Sequence, residues 1–451
     1  MVSCSPQWRR PHAAKPDATL GLATMNSTAL LTDHYELTML AAALRDGTGD
    51  RPCVFEVFAR RLPDGRRYGV VAGVNRLLDA IADFRFGEEE IDQLRRNAVV
   101  DDSTLAWLAN YRFSGEIDGY PEGELYFPGS PVLTVRASFA EGVVLETLAL
   151  SILNHDSAIA SAAARMVTAA NGRRMIEMGS RRTHEEAAVA CARAAYLAGF
   201  TATSNLEAGR RHGIPTAGTC AHAFTLLHDS EEEAFRSQIE ALGVGTTLLV
   251  DTYDITEGIK TAVAVAGPDL GAIRIDSGDL GVMARQARDL LDSLGARNTR
   301  IVVSSDLDEY AIAALRAEPV DAYGVGTSVV TGSGAPTAGM VYKLVEVDGR
   351  HVEKRSTSKQ SRGGWKKALR RHKDTGTALE EIVFQASSEP ELGQYDRLVQ
   401  IPLMRAGRLT DEVPTLEQSR ERLRAALVSV PWEGLKLSRG EPAIPTTYLE
   451  S

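Results

Sequence analysis

The sequence predicts an α/β fold: an irregular (β/α) barrel plus a smaller mixed α+β domain built from the N-terminal and C-terminal segments. Three observations lead there. Between residues 145 and 335, short apolar runs that stop at polar or glycine-rich turns alternate with segments of helical period. A series of β-α units with short connections implies parallel strands with helices outside. Before and after that series the rhythm is lost, and Gly and Pro punctuate short strands. Finally, at 451 residues the chain exceeds one ordinary core. The β-α stretch is shorter than the roughly 250 residues of a typical eight-fold barrel, so a reduced or irregular barrel is expected, with a doubly wound open sheet as the alternative. The domains expected are a disordered extension at 1–25, an N-terminal α+β domain at 26–144, the barrel at 145–335 and a C-terminal segment at 336–451. The last should pack back on the N-terminal domain, because neither alone is large enough for a strong core.

Each element follows from local pattern. Residues 26–39 (NSTALLTDHYELTM) open the fold, with Thr32 and Asp33 placed to cap a helix that carries Tyr35, Leu37, Met39 and Leu40. CVFEVF at 53–58 alternates like a strand, and 68–81 continues as strand and helix. Residues 101–135 read as short strands and turns, a small β-rich layer. Residues 141–170 form a long, Ala-rich helix. The barrel strands are then RRMIEMG (173–179), FTATSN (200–205), 214–221, TTLLVD (246–251), 273–276, RIVVS (300–304) and VDAYGV (320–325), with helices between. After 328 come antiparallel strands at 340–347 and 351–356 around Asp348-Gly349, and an amphipathic helix at 415–428.

Composition narrows the function classes. Hydrophobic residues make up 44% and charged residues 24%, a globular balance, and the net charge of −10 argues against a nucleic-acid-binding surface. The four cysteines, Cys4, Cys53, Cys191 and Cys220, show no Cys-x-x-Cys spacing and read as reduced thiols rather than a disulfide framework or zinc site. No stretch of membrane-helix length is read. The N-terminus has two arginines but no apolar run after them, hence no signal peptide, and the expected location is cytoplasmic.

The densest chemistry is AIRIDSGDL at 272–280: a strand, an Asp-Ser-Gly-Asp turn, then helical spacing. In α/β folds chemistry sits in such turns, at the carboxyl ends of the strands. Two carboxylates, a hydroxyl and a Gly suit ribose hydroxyls or a metal. Taken alone, Asp279 serves equally as a helix cap and Asp276 as a turn former. Recurrence raises the site above that reading. Successive strand ends deliver Arg181, Ser204-Asn205, His222, Asp251, Asp276-Ser277-Gly278-Asp279, Ser305-Asp306 and Gly324-Val325-Gly326-Thr327, all on one face of a barrel. The last is either a tight turn or a backbone cradle for a phosphate. Residues 350–373 are basic, with small polar residues interleaved, which suits a polyphosphate more than a helix face. His222, in GTCAH, is either structural or a phosphate acceptor and general base; His155, His184 and His228 share that ambiguity. Tyr35, read from its own helix alone, is a core residue first. Phosphate, polyphosphate and sugar together describe phosphoribosyl pyrophosphate.

TDHYELTM, FEVFARRLP, EMGSRR, TSN, GTCAH, LLVDTYD, IRIDSGDL, SSDLDE, YGVGT, YKLVE and STSKQSRGGWKK occur in this order across residues 26–370. This ordered series resembles the bacterial nicotinate phosphoribosyltransferases, of the type II phosphoribosyltransferase superfamily. The resemblance implies synthesis of nicotinate mononucleotide and pyrophosphate in NAD salvage, coupled to ATP hydrolysis through a phosphohistidine that matches His222. It implies a homodimer with sites completed across the interface, where Tyr35 stacks on the partner's pyridine ring. Arg181 matches a substrate-binding arginine that would hold the nicotinate carboxylate; Arg274 would orient the aspartates or contact nicotinate. Met178 stands where related nicotinamide enzymes carry a second stacking aromatic, and Ser204 near an aspartate that accepts from the amide; a serine there does not repel a carboxylate. Asp276 and Asp279 would hold ribose or Mg²⁺, with Asp251, Ser277 and Asn205 contributing substrate contacts. Asp306, Gly324, Gly326 and Thr327 would serve the 5′-phosphate, and Ser358 and Lys359 the pyrophosphate. The competing readings are a nicotinamide or quinolinate phosphoribosyltransferase, a non-catalytic barrel that senses a phosphorylated metabolite, and a nucleic-acid binder through 350–373.

Overall fold

The computed structural model describes residues 27–354 and 361–449. The expected extension at 1–25, and Ser358 and Lys359, lie outside the described residues.

The two ends of the chain build one sheet. Its seven strands run in the order Arg350–His351, Met340–Val347, Pro52–Ala59, Leu133–Ser138, Glu116–Gly119, Ile401–Arg405, Arg408–Leu409, every pair antiparallel. Phe55 lies opposite Leu344 on one side and Val135 on the other, so N-terminal and C-terminal segments share one hydrogen-bonded layer. The Pro52–Ala59 strand differs from the half-buried alternation its sequence suggested, for every residue after Pro52 is buried. Glu56 points inward to Lys366 of a second, four-stranded sheet, 3.2 Å away, which covers that face. Three further expectations change here. The barrel strand expected at 214–221 does not form; only Thr216 makes an isolated bridge, to Thr203. A helix, Asp102–Ala109, stands where only strands and turns were read; the Asp101 carboxylate accepts from Thr104 N at 2.8 Å and caps it. The strand after Asp348-Gly349 shortens to Arg350–His351.

The Ala-rich segment becomes a 25-residue helix, Glu146–Ala170, after a short turn of helix at Phe139–Val143. Phe139–Ala170, with mean hydropathy 1.2, is long and apolar enough to cross a membrane by length and composition, contrary to the sequence reading. Its apolarity has another cause. Leu148 and Leu153 pack in the core of the N-terminal and C-terminal segments, and Ile159 and Ala163 in the core of the barrel, so the helix is covered on both sides. Small alanines permit that close approach.

Six parallel strands form the barrel sheet, in the order Ala202–Thr203, Arg174–Glu177, Ala322–Val325, Arg300–Ser305, Ala272–Ile275, Thr247–Leu249. The two outer strands do not pair with each other among the described residues, so the sheet curls without closing. Alternation along each strand is clean. Met175, Ile273, Ile275, Ile301, Val303, Tyr323 and Val325 pack under the helices, while Ala272, Val302 and Ala322 touch one another on the opposite, luminal face. That alternation puts Arg174, Ile176, Arg274 and Ser304 on the luminal side too. The C-terminal helix Leu416–Ser429 starts with a Thr415/Gln418 capping box and packs on Glu185–Leu197.

Candidate active site

Parallel strands present their carboxyl ends together, and here those ends are tied by side chains. Asp251 follows the Thr247–Leu249 strand and is 8% exposed. Its Oδ2 accepts from Asp276 N at 2.7 Å and from Ser277 Oγ at 2.8 Å. One carboxylate thus pins the start of the Asp-Ser-Gly-Asp turn to the neighbouring strand end. Gly278 turns the chain at φ +84°, in the left-handed region, and Asp279 Oδ1 accepts from Val282 N at 3.1 Å to cap Leu280–Ser293. The other oxygen of Asp251 is buried without a hydrogen-bond partner among the described residues.

His222 begins the helix His222–Leu227 and leans over this turn. Its Nδ1 lies 3.1 Å from Thr252 Oγ1, and its Nε2 lies 4.0 Å from Asp276 Oδ2. Thr252 therefore orients the imidazole through Nδ1, and with 40% of its side chain exposed the ring stays reachable. When Nδ1 donates to Thr252, Nε2 carries the lone pair beside Asp276. Arg274, on the adjacent strand, donates from Nη1 to Thr219 Oγ1 at 2.9 Å, while its Nε is buried and unpaired among the described residues. Arg274, Thr219 and Met178 line a cavity of about 320 Å³ inside the curled sheet, with Arg174 and Arg300 farther down.

The opposite rim is built from buried polar contacts. Glu177 ends the Arg174–Glu177 strand; it accepts from Gly179 N, and from Thr203 Oγ1 at 2.5 Å. Burial raises its carboxyl above the usual range, against the pull of those two donors. Met178 N donates to Val325 O at 2.8 Å. Asn205 caps Leu206–His212 through Ala208 N at 2.8 Å and donates from Nδ2 to Ser180 Oγ at 3.0 Å, fastening the 179–182 turn to the next strand. Close approach demands glycine at one position: a Cβ on Gly179 would sit 2.2 Å from Val330 Cγ1 and 3.0 Å from the Gly326 carbonyl oxygen. Ser204, Arg181 and Asp306 are exposed at their strand ends, and Gly326 and Thr327 lead into Thr327–Val330.

The structure joins His222, Asp251, Asp276 and Ser277 by direct contacts, with Arg274 one hydrogen bond away from the His222 loop. It does not bring Tyr35 to them. Tyr35 lies on His34–Asp46, 45% exposed; partial burial, then the charges of Glu146 and Glu36, push its hydroxyl up to about 12. Several residues escaped the sequence reading. Thr252 and Thr219 orient His222 and Arg274, and Glu177 was signalled only by a charge inside an apolar strand. Glu231 starts the helix Glu231–Leu242; burial, then Asp251 and Asp254, raise its carboxyl to about 7. The basic run at 350–373 is partly structural, since Lys366 pairs with Glu56, and Arg370 is buried between Glu124 and Glu381. A larger cavity of about 730 Å³, beside Arg60, Lys354 and Arg362, lies away from the barrel strand ends and holds none of the histidine and aspartate chemistry.

Models of the nicotinate phosphoribosyltransferase N-terminal domain and the quinolinate phosphoribosyl transferase C-terminal domain match residues 30–154 and 159–333. The chain is 64% identical over 425 residues to nicotinate phosphoribosyltransferase pncB1 of Mycobacterium tuberculosis, covering 92% of this chain and 94% of that protein. This chain belongs to the nicotinate phosphoribosyltransferase family. A Bacillus subtilis member is 37% identical, covering 73% of this chain and 69% of its own length. Among solved structures, human nicotinic acid phosphoribosyltransferase superposes with a TM-score of 0.82 at 24% identity, covering 93% of this chain and 98% of that one. Nicotinate-nucleotide pyrophosphorylase from Pyrococcus furiosus gives 0.76 at 23%, covering 92% and 99%. At those identities the likeness establishes the fold, an irregular barrel joined to a mixed α+β unit.

Proposed function

We propose that the barrel mouth forms nicotinate mononucleotide and pyrophosphate from nicotinate and phosphoribosyl pyrophosphate, in NAD salvage, and couples this to ATP hydrolysis through a phosphohistidine at His222. The observation that carries the reading is the imidazole oriented by Thr252 at Nδ1, with Nε2 4.0 Å from Asp276, over the turn that Asp251 pins.

The transfer makes a C–N bond at the ribose while pyrophosphate leaves, through a state with cationic character on the sugar. Asp276 at the mouth favours that charge, and Ser277 and Asp279 offer contacts to ribose hydroxyls. Nicotinate enters the lumen with its carboxylate toward the guanidinium of Arg274, which lines that cavity. Arg181, exposed on the rim, suits a phosphate oxygen. Gly326 and Thr327 receive the 5′-phosphate. His222 Nε2 takes the γ-phosphoryl group of ATP, ADP departs, and water later cleaves the phosphohistidine. Mg²⁺ fits the donor set: the orphan oxygen of Asp251 and the half-exposed carboxylate of Asp276 are hard ligands. Among the described residues no cluster of three ligating side chains exists, so pyrophosphate and water would complete the shell. When bound, the ion offsets the charge of the leaving group.

Tyr35 is an exposed side chain away from the mouth, which supports a homodimer in which it serves the partner's site. The net charge and the absorption of Lys366 and Arg370 into ion pairs weigh against nucleic acid as a partner. We place the protein in the cytoplasm.

The test is release of pyrophosphate and ADP from purified protein with phosphoribosyl pyrophosphate, Mg²⁺ and ATP, comparing nicotinate, nicotinamide and quinolinate. Both products are expected with nicotinate. Binding without pyrophosphate release for any pyridine would favour a sensor instead. His222→Asn should lose ATP hydrolysis and keep a slow, uncoupled synthesis; full ATPase activity would remove His222 from its role.

A further inference from the structure

A groove of about 470 Å³ opens between the Lys366–His372 and Arg397–Leu398 strands and the Leu416–Ser429 helix. It shares no residue with the barrel mouth. Its wall carries two guanidiniums, Arg397 and Arg422, with His372 and Gln418 beside them and the flat surface of Ala425 and Ala426 between.

The single carboxylate lining the groove among the described residues is already taken. Glu124 is fully buried, with Arg370 Nη1 at 2.6 Å and Arg397 at 2.9 Å and 3.0 Å. Burial works against its charge, yet Arg370 and Arg397 outweigh that and hold the carboxyl at about 2. Arg370 in turn is matched by Glu381. These four charges cancel, which leaves Arg422 uncompensated. Arg422 makes no ion pair or hydrogen bond among the described residues, and its Nε is buried without an acceptor. Arg422 lines the groove, and its Nη groups have no protein acceptor among the described residues, so an anion there would take up their N–H donors. Two neighbours report the same polarity. Burial, then the cations Arg397 and Arg370, push His372 below its ordinary range. Gln418 spends its side-chain oxygen on Thr415 N, at 2.8 Å, so the remaining hydrogen-bonding capacity of that amide is as a donor.

We infer that this groove is a second ligand site, for a phosphate monoester of up to nucleotide size, with the phosphate held by Arg422 and the exposed edge of Arg397 and the remainder lying on Ala425 and Ala426. The volume falls within the range of small-molecule sites, and the combination of convergent donors with a small apolar floor is their usual make-up. The site lies apart from the proposed chemistry of the barrel.

Titration calorimetry of the full chain with AMP, and separately with inorganic phosphate, tests this. The wild type should show one binding event per chain that Arg422→Gln weakens at least tenfold for both probes, the loss of one charge-assisted contact. Arg422→Lys should keep part of it. Both variants should retain kcat and the KM for nicotinate, because Arg422 lies outside the catalytic site. Identical titrations of wild type and Arg422→Gln, or no binding by the wild type, would overturn the inference.

Discussion

Asp251→Ala removes the residue on which the mouth depends most for its shape. Oδ2 makes two hydrogen bonds, to Asp276 N and Ser277 Oγ, from a position only 8% exposed. A bond to a charged group contributes about 1.5–3 kcal/mol, so the turn is held by about 3–6 kcal/mol. Released, it samples positions in which Asp276 no longer faces His222. If productive geometry requires both bonds, kcat/KM falls by roughly 10²–10⁴, at about 1.4 kcal/mol per factor of ten. Asp251→Asn keeps an acceptor oxygen but lowers the strength of both bonds by about half, and should fall by roughly 10–10². The assay is initial-rate synthesis of the mononucleotide, with thermal unfolding measured alongside to separate misfolding from misplacement. Asp251→Ala within threefold of wild type, with an unchanged Tm, would refute the pinning argument.

Other predictions come from the same contacts. Arg274→Ala should raise the KM for nicotinate about 10-fold to 100-fold, from the loss of one charge-assisted contact, with little change in the KM for ATP; an unchanged nicotinate KM moves the carboxylate to another arginine. Gly179→Ala should cost about 1–3 kcal/mol of stability and lower activity, because the methyl group meets Val330 and the Gly326 carbonyl; a silent variant would contradict the close packing. Glu56 is fully buried, and burial raises its carboxyl to about 7 against the pull of Lys366. Its folded value lies above the unfolded one, so its contribution is complete below about pH 4.5 and is lost as pH rises through 7. Glu56→Gln should therefore flatten the decline of stability between pH 5 and about pH 8, read by denaturant titration across that range. A decline of the same slope in wild type and variant would assign it to other groups.

The barrel and its mouth were legible because they are written locally. A parallel strand buried on one side and luminal on the other leaves a short alternating run, and its carboxyl end leaves a polar turn within a few residues. IRIDSGD and LLVD carry that pattern on their face, whereas the run ending in GTCAH carries it without forming a strand. The half-buried character expected of the strand at 53–58 failed for the opposite reason. Which second layer covers a sheet depends on residues three hundred positions away, here Lys366 on Glu56. The helix at Asp102–Ala109 was missed although Asp101 announced its cap, since Gly and Pro farther along the same stretch dominated the reading.

By itself the sequence determined the parallel α/β class, the family and the residues that reach the mouth, because period, turn chemistry and motif order are properties of neighbouring residues. Only the tertiary structure decided how those residues act on one another. That Asp251 holds the Asp276 turn, that Thr252 and Asp276 bracket His222, and that Arg370 is consumed by Glu124 and Glu381 are contacts across 11 to 246 positions of chain. Hydrogen bonds and ion pairs fall off within a few ångströms, and distances on that scale between remote segments exist only once the sheets have closed around their cores.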